Sequence, residues 1–194
     1  MKGSDTQDRL NTAAAAMRGD AEALRAVWQE NRRWVAAVLL AHKPKDVDVE
    51  DLLQDVAMTL VKSITKVRDA SVLGPWLRTV AINAARAAGR QSSRRQRGPI
   101  RMSRGQDVSE GEAGATWPPV DEEVGRGEAG GRLAALSARL PEGYREPLLL
   151  KCVQGMSYRE IGTLLGLPET TVETRIARGR RMLREMATAE AGEA

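Results

Sequence analysis

Residues 156–185 read MSYREIGTLLGLPETTVETRIARGRRMLRE, and the fold is decided by how this stretch is parsed. Ser157 stands three residues before Glu160, the spacing of a capping box, in which each residue satisfies the other's backbone N–H at a helix start. Ile161, Leu164 and Leu165 then fall on one helical face. Gly166-Leu167-Pro168 breaks the pattern, and a second helix follows with Val172, Ile176, Gly179 and Leu183 on its inner side. Two helices joined by a tight Gly-containing turn form a helix-turn-helix, here Ser157 to Ile176. Its second helix turns Thr170, Thr171, Thr174, Arg175, Arg178 and Arg181 outward. Such residues suit a major-groove reader, because Arg grips guanine edges and phosphates while Thr contacts bases or backbone. A helical hairpin with a merely solvated charged face would have a similar composition, but cap, turn and Arg cluster together favour DNA. Glu169 and Glu173 count against it, since each repels phosphate unless it accepts from cytosine.

Upstream of this motif, Tyr144–Gln154 reads as a helix with Gly155 as its C-terminal stop. Pro147 inside it implies a later start or a kink. Leu133, Leu136 and Leu140 mark a short helix ended by Pro141. Residues 98–131 contain 8 Gly and 3 Pro with little apolar periodicity, the composition of a disordered tether. Before it lie three helix patterns. Ala21–Leu40 has Asp20 as N-cap, and a second begins after Asp48. There Leu52, Leu53, Val56, Ala57, Leu60 and Val61 form a stripe, with Glu50, Asp51, Gln54, Asp55 and Lys62 opposite. The third starts near Pro75, buries Trp76, Leu77, Val80, Ala81, Ala84 and Ala88, and continues into an Arg-rich end. No stretch alternates with period two. The expected fold is therefore all-α: two small helical modules, 10–97 and 133–186, joined by a flexible acidic linker, 98–132.

Charge follows the same division. The 194 residues carry a net charge of only +4, yet residues 1–97 hold 17 basic and 11 acidic groups, 98–132 hold 4 and 7, and 133–194 hold 9 and 8. Arg86–Arg104 contains seven Arg and no acid. Such a run is relieved by phosphate, with counterion release as the driving force, although a solvated tail would look the same. Of the 30 cations 24 are Arg, which fits phosphate recognition or a GC-rich coding bias equally well. A single His and a single Cys exclude a His-based zinc site, an ordinary Ser–His triad and an internal disulfide. Cys152, flanked by apolar residues, is expected in the core. The longest apolar run, Trp34–Ala41, is far short of the ~20 residues of a membrane span, and MKGSDTQDRL lacks the apolar core of a signal peptide. No membrane insertion, metal or cofactor is expected, and a cytoplasmic location is.

With these segments on the page, the chain resembles a bacterial RNA polymerase sigma factor of the extracytoplasmic-function (ECF) group of the sigma-70 family. DVEDLLQDVAMTLVK is similar to the family's polymerase-binding helix, LGPWLRTVAINAARAAGRQSSRRQ to the helix that melts and reads the −10 element, and LPEGYREPLLLKCVQGMSYREIGTLLGLPETTVETRIARGRRMLRE to the −35-reading module. The resemblance implies a non-enzymatic promoter-specificity subunit that recruits core polymerase, reads both elements and stabilises the melted strand. It places Asp51, Gln54 and Asp55 against the clamp helices of the largest polymerase subunit, with a further contact to the flap region. It lays Asn83, Arg86 and Arg90 along the −10 DNA and gives the loop Ser63–Gly74 an unstacked base to hold. It assigns Thr170, Thr171, Thr174, Arg175 and Arg178 to the −35 element. Duplex and melted promoter DNA, core polymerase and an anti-sigma factor of unspecified identity are the implied partners.

The sequence departs from the family pattern at Ala57, where an aromatic is usual, at Pro147, and at Glu173, where a basic residue is frequent. With no Phe in the chain, base capture leans on polar groups and Arg rather than stacking. Promoter elements two turns apart are ~70 Å from each other. A 34-residue coil spans roughly 30–35 Å on average but reaches ~110 Å when extended, so polymerase must hold the modules apart. Two other readings stay open at this point. One is a conventional helix-turn-helix regulator, which does not need the Asp51/Gln54/Asp55 face. The other is a metal-dependent enzyme using Asp46, Asp48, Glu50, Asp51 and Asp55, which lacks a calcium or phosphate loop.

Overall fold

A computed structural model describes residues 2–96 and 137–192, and all regular elements among them are helical. The first module comprises α1 (Lys2–Met17), α2 (Ala21–His42), α3 (Val49–Ser63) and α4 (Leu73–Gln96), with 3-10 turns Ile64–Lys66 and Ala70–Val72 between the last two. The second comprises α5 (Glu142–Gln154), α6 (Tyr158–Leu165) and α7 (Glu169–Gly192). The expected tether, 98–132, and Leu133 and Leu136 of the expected short helix lie outside the described residues. Helix α1 was not apparent in the apolar pattern because its contribution to the core is small side chains, Ala13 and Ala16.

The helix starts follow from local chemistry. The Asp20 carboxylate accepts the Glu22 and Ala23 N–H groups, both at 2.9 Å, and that of Asp48 accepts the Glu50 N–H at 3.0 Å. Each such cap is typically worth about 1 kcal/mol. Helix α4 begins two residues before Pro75, which costs nothing because the first four N–H groups of a helix have no partner within it.

Helix α2 is buried from Trp34 through Leu39 and again at Ala41, so it has neighbours on all sides. Leu52, Leu53, Val56, Ala57 and Leu60 bury the inner face of α3 as expected. Val61 does not join them and is 40% exposed. Each residue turns the helix by about 100°, which carries Val61 past the edge of the stripe.

The two modules are not separate bodies. Helix α5 packs on α2 as well as on α7, and five consecutive residues, Glu146 to Leu150, are buried there. The Glu146 carboxylate, on a side chain only 6% exposed, accepts the Arg78 Nε–H and Nη2–H at 2.6 and 2.7 Å, and His42 Nε2 lies 3.1 Å away. Burial alone would raise the Glu146 pKa; hydrogen bonds from His42 and Arg78, and their charges, outweigh it and hold the carboxyl below its ordinary range. The next side chain back, Arg145, donates to the Ala41 carbonyl in the last turn of α2 at 2.9 Å and to the Ser137, Ala138 and Leu140 carbonyls at 3.0, 2.8 and 2.8 Å.

Helix α5 starts at Glu142, earlier than Tyr144, and runs through Pro147, so the later start that the proline implied does not occur. Its burial ends at Leu150. Cys152, expected in the core, is exposed. Gly155 ends the helix in the left-handed region, with φ +67°. Lys151 then bridges to the next helix, donating to the Met156 carbonyl at 2.9 Å with its ammonium 5.1 Å from the centre of the Tyr158 ring.

The capping box at Ser157 and Glu160 forms with both of its reciprocal bonds. At the other end of α6, Gly166 adopts φ +67°, and Leu167 donates its N–H to the Gly162 carbonyl at 2.9 Å. The returning chain comes so close that a Cβ on Gly162 would meet the Leu167 carbonyl oxygen at 2.7 Å. Substituting Gly162→Ala should therefore lower stability by about 1–3 kcal/mol through forced displacement of the turn, and Gly166→Ala by about 1–2 kcal/mol through left-handed strain. Chemical denaturation followed by helical circular dichroism measures both, and a neutral Gly162→Ala would contradict this turn geometry.

Candidate polymerase and nucleic-acid interfaces

Burial of one side of α3 leaves a defined outer face. Asp51, Gln54 and Asp55 are all exposed, at positions i, i+3 and i+4. The Asp55 carboxyl is pushed above its ordinary pKa by partial burial and then by the neighbouring charge of Asp51. Two residues on the same face escaped the sequence reading. Met58 is 42% exposed, and Val61, assigned there to the buried stripe, continues the surface one turn further. The face is thus acidic and amidic at its N-terminal end and apolar at its C-terminal end. The signal that could have found it is angular: on a helical wheel Gln54, Met58 and Val61 lie within about 60° of one another. Ala57 points inward and is buried, so it takes no part in this face.

Between α3 and α4 the chain makes its two short 3-10 turns. The Asp69 carboxylate accepts both the N–H and the Oγ–H of Ser71, at 2.8 and 2.7 Å, and these bonds lower its pKa. Val72 beside them is 46% exposed. Helix α4 then presents Asn83, Arg86 and Arg90, all exposed and on one face, and Arg94 extends the row. Arg97, Arg101 and Arg104 of the basic run lie outside the described residues. Trp76 packs partly buried against the core, as expected from its spacing. The end of α4 is held to the α2–α3 loop by a hydrogen bond from Ser92 Oγ to the Asp46 carboxylate. Lys43 fixes that loop in turn, donating to the Pro44 and Val47 carbonyls at 3.2 and 2.7 Å.

In the helix-turn-helix, Thr170, Thr174 and Arg178 are exposed at the N-terminal half of α7, while Thr171 and Arg175 are half-buried. Val172 and Ile176 face the core. Thr174 donates its hydroxyl to the Thr170 carbonyl at 2.8 Å. The Arg175 Nη1 lies 3.5 Å from the Gly143 carbonyl. That carbonyl is the one left without a helical donor by Pro147 four residues later. Arg181 pairs with Glu185 at 3.6 Å on the exposed side. Among the described residues, no group of three or more His, Cys, Asp or Glu is placed to hold a metal ion.

Comparison with known proteins assigns both modules. The family described as Sigma-70 region 2 matches residues 27–95, and Sigma-70, region 4 matches residues 131–183. The chain belongs to the sigma-70 family. Within that family it is an ECF sigma factor. It is 30% identical over 138 residues to the ECF RNA polymerase sigma factor SigE of Mycolicibacterium smegmatis, in a match covering 71% of this chain and 51% of that one. The chain thus spans about half the length of that relative. It is 32% identical over 137 residues to the RNA polymerase sigma factor CarQ of Myxococcus xanthus, covering 71% of this chain and 73% of that one. The solved structure of CnrH in complex with the cytosolic domain of CnrY shares its fold, with a TM-score of 0.61 and 22% identity, covering 93% of this chain and 97% of that one. No helix among the described residues is long and apolar enough to cross a membrane.

The outward placement of Met58 and Val61 separates surface from core on one helix. In this sigma factor, Met58→Ser and Val61→Ser should each change stability by less than about 0.5 kcal/mol, whereas Leu60→Ala should cost about 2–5 kcal/mol. Urea denaturation decides it; a loss of 2 kcal/mol or more at Val61 would place that residue in the core.

Proposed function

We propose that this ECF sigma factor docks on core polymerase through the outer face of α3 and reads promoter DNA with α4 and α7. Asp51, Gln54 and Asp55 meet the clamp helices of the largest subunit, with Met58 and Val61 as an apolar continuation of the same contact. Asn83, Arg86 and Arg90 lie along the −10 DNA, and the turn region Ser63–Gly74 receives the unstacked base. Capture there costs a few kcal/mol of unstacking that protein contacts offset. Asp69 presets the Ser71 backbone and hydroxyl, and exposed Val72 offers the base an apolar contact in place of a stacking aromatic. Thr170, Thr171, Thr174, Arg175 and Arg178 address the −35 duplex, and the second module also meets the flap region.

The observation that carries this reading is the division of α3 into a packed face and an exposed Asp51/Gln54/Asp55 face that folding does not require. A conventional helix-turn-helix regulator has no use for such a surface. We further propose module limits of 10–97 and 133–186 with 98–132 as the tether, no active site, and a cytoplasmic location. A protein regulator, an anti-sigma factor, belongs to the same proposal; CnrH, whose fold this chain shares, is solved in complex with the cytosolic domain of CnrY.

Pull-down with core polymerase and run-off transcription test the proposal. Asp51→Ala combined with Gln54→Ala should lower core affinity at least tenfold while preserving helix content; unchanged affinity would move the interface elsewhere. Promoter binding by the holoenzyme should weaken steeply as salt rises, and each of Arg86→Ala and Arg90→Ala should flatten that salt slope by about one phosphate's worth. A slope indifferent to both substitutions would remove α4 from the DNA.

A further inference from the structure

Helix α7 carries its charge in two unlike halves. Beyond Ile176 it exposes Arg178, Arg180, Arg181 and Arg184. Before Ile176 it exposes Glu169, Thr170, Glu173 and Thr174. The cation in that first half, Arg175, is half-buried, with its Nη1 3.5 Å from the Gly143 carbonyl. The Thr174 hydroxyl is committed as a donor to the Thr170 carbonyl at 2.8 Å. The exposed ionic groups nearest the helix start are therefore carboxylates, although phosphate recognition has no use for them.

The two acids differ in what the fold gains from them. Glu169 is in the first turn of α7, where the unsatisfied backbone N–H groups favour negative charge. Glu173 lies one turn further on, beyond the reach of that effect. The positions three and four residues to either side of it hold Glu169, Thr170, Ile176 and Ala177, none of them a cation. Its i, i+4 neighbour Glu169 carries the same charge, which destabilises a helix. Glu173 thus costs the helix something and returns nothing to it. At about 100° per residue it stands about 60° around the helix from Thr170 and about 40° from Ala177. It therefore shares a surface with the hydroxyl side chains of the helix start, and Ala177, one turn along, is exposed and too short to pair with it.

We propose that Glu173 is a base-reading residue that selects cytosine in the −35 element by accepting a hydrogen bond from the cytosine N4 amino group. This rests on the assignment of α7 to the −35 duplex made above. A recognition helix meets base edges with its N-terminal residues, and here those residues include no exposed cation. In the major groove cytosine offers the N4 donor and no acceptor. Guanine offers two acceptors, O6 and N7, and thymine offers O4, so a carboxylate is repelled by both. Adenine has a donor at N6 beside an acceptor at N7 and is intermediate. The carboxylate discriminates twice, by attraction to one base and by repulsion from two others. It also lowers general affinity for DNA, and Arg178, Arg180, Arg181 and Arg184 offset that loss through phosphate contacts that carry no sequence information. Selection and affinity then fall to different halves of one helix.

The test is selection of duplex promoter DNA from a pool randomised across the −35 element, by the holoenzyme and by the free full-length chain, read by sequencing. The native protein should favour cytosine at one position by about tenfold over guanine or thymine. Glu173→Ala should erase the preference at that position alone and bind unselected duplex more tightly, since a repulsion is gone. Glu173→Gln should move the preference to adenine, whose N6 and N7 match an amide. Glu173→Arg should move it to guanine, whose O6 and N7 match a guanidinium. The side chain is exposed, so circular dichroism should report native helix content for all three. If Glu173→Ala tightens binding but leaves every base preference unchanged, Glu173 only repels phosphate and the proposal fails. It fails equally if the base that residue 173 controls is not cytosine in the native protein. Inability of the native chain to bind core polymerase sinks the sigma reading instead, and selection by the free chain then judges Glu173. Where neither form selects any base through residue 173, the cytosine assignment is overturned.

Discussion

Helix α2 is apolar around its circumference between Trp34 and Ala41, and a helix of that kind requires neighbours on every side. Three of those neighbours, α1, α3 and α4, belong to its own module; the fourth is α5, separated from it by a hundred residues of chain. The rest of the structure depends on satisfying this one requirement. Because α5 covers α2, α5 is itself buried on both sides, and its Leu148, Leu149 and Leu150 are apolar in succession. Because α5 carries the helix-turn-helix behind it, that motif is brought alongside the first module.

The consequence for function is a division of surfaces. Packing uses up the inner sides of α2, α3 and α5, and what remains outside includes the surfaces proposed above for recognition: the Asp51/Gln54/Asp55 face with Met58 and Val61, the Asn83/Arg86/Arg90 row, and the exposed edge of α7. These lie on different helices, and the charged and hydroxyl groups on them contribute little to the core. A sigma factor needs this independence, since substitutions that alter promoter choice must leave the fold in place.

Much of this was legible in the sequence because the signals are local. The capping box at Ser157 and Glu160, the Gly166 turn, the Asp20 and Asp48 caps and the α3 stripe each depend on residues within one or two turns of each other. The misreadings share the opposite property. Val61 looked apolar enough for the stripe, but its exposure depends on where the stripe ends against α2 and α4. Cys152 was expected inside from its neighbours, while its burial depends on how far along α5 the covering helices reach. Helix α1 contributes alanines, whose pattern is weak. The contact between modules was invisible for a related reason: Arg78, His42 and Glu146 are separated by 36 to 104 positions, and nothing local ties a lone buried Glu to partners so distant.

The proline inside α5 reaches further than its own helix. By removing one N–H it leaves the Gly143 carbonyl without a helical donor, and the half-buried Arg175 of the reader helix is the side chain that lies beside it. Arg175 therefore has a tie inside the protein as well as a place on the helix proposed to face DNA. Reaching for a phosphate or a base edge means exchanging one acceptor for another, whereas exposed Arg178 has no such tie to Gly143. The two arginines, three residues apart, thus carry different information in a mutational scan. If both meet the duplex as proposed, loss of Arg178 would report on that contact alone, and loss of Arg175 on the contact and on the seat of the helix that presents it.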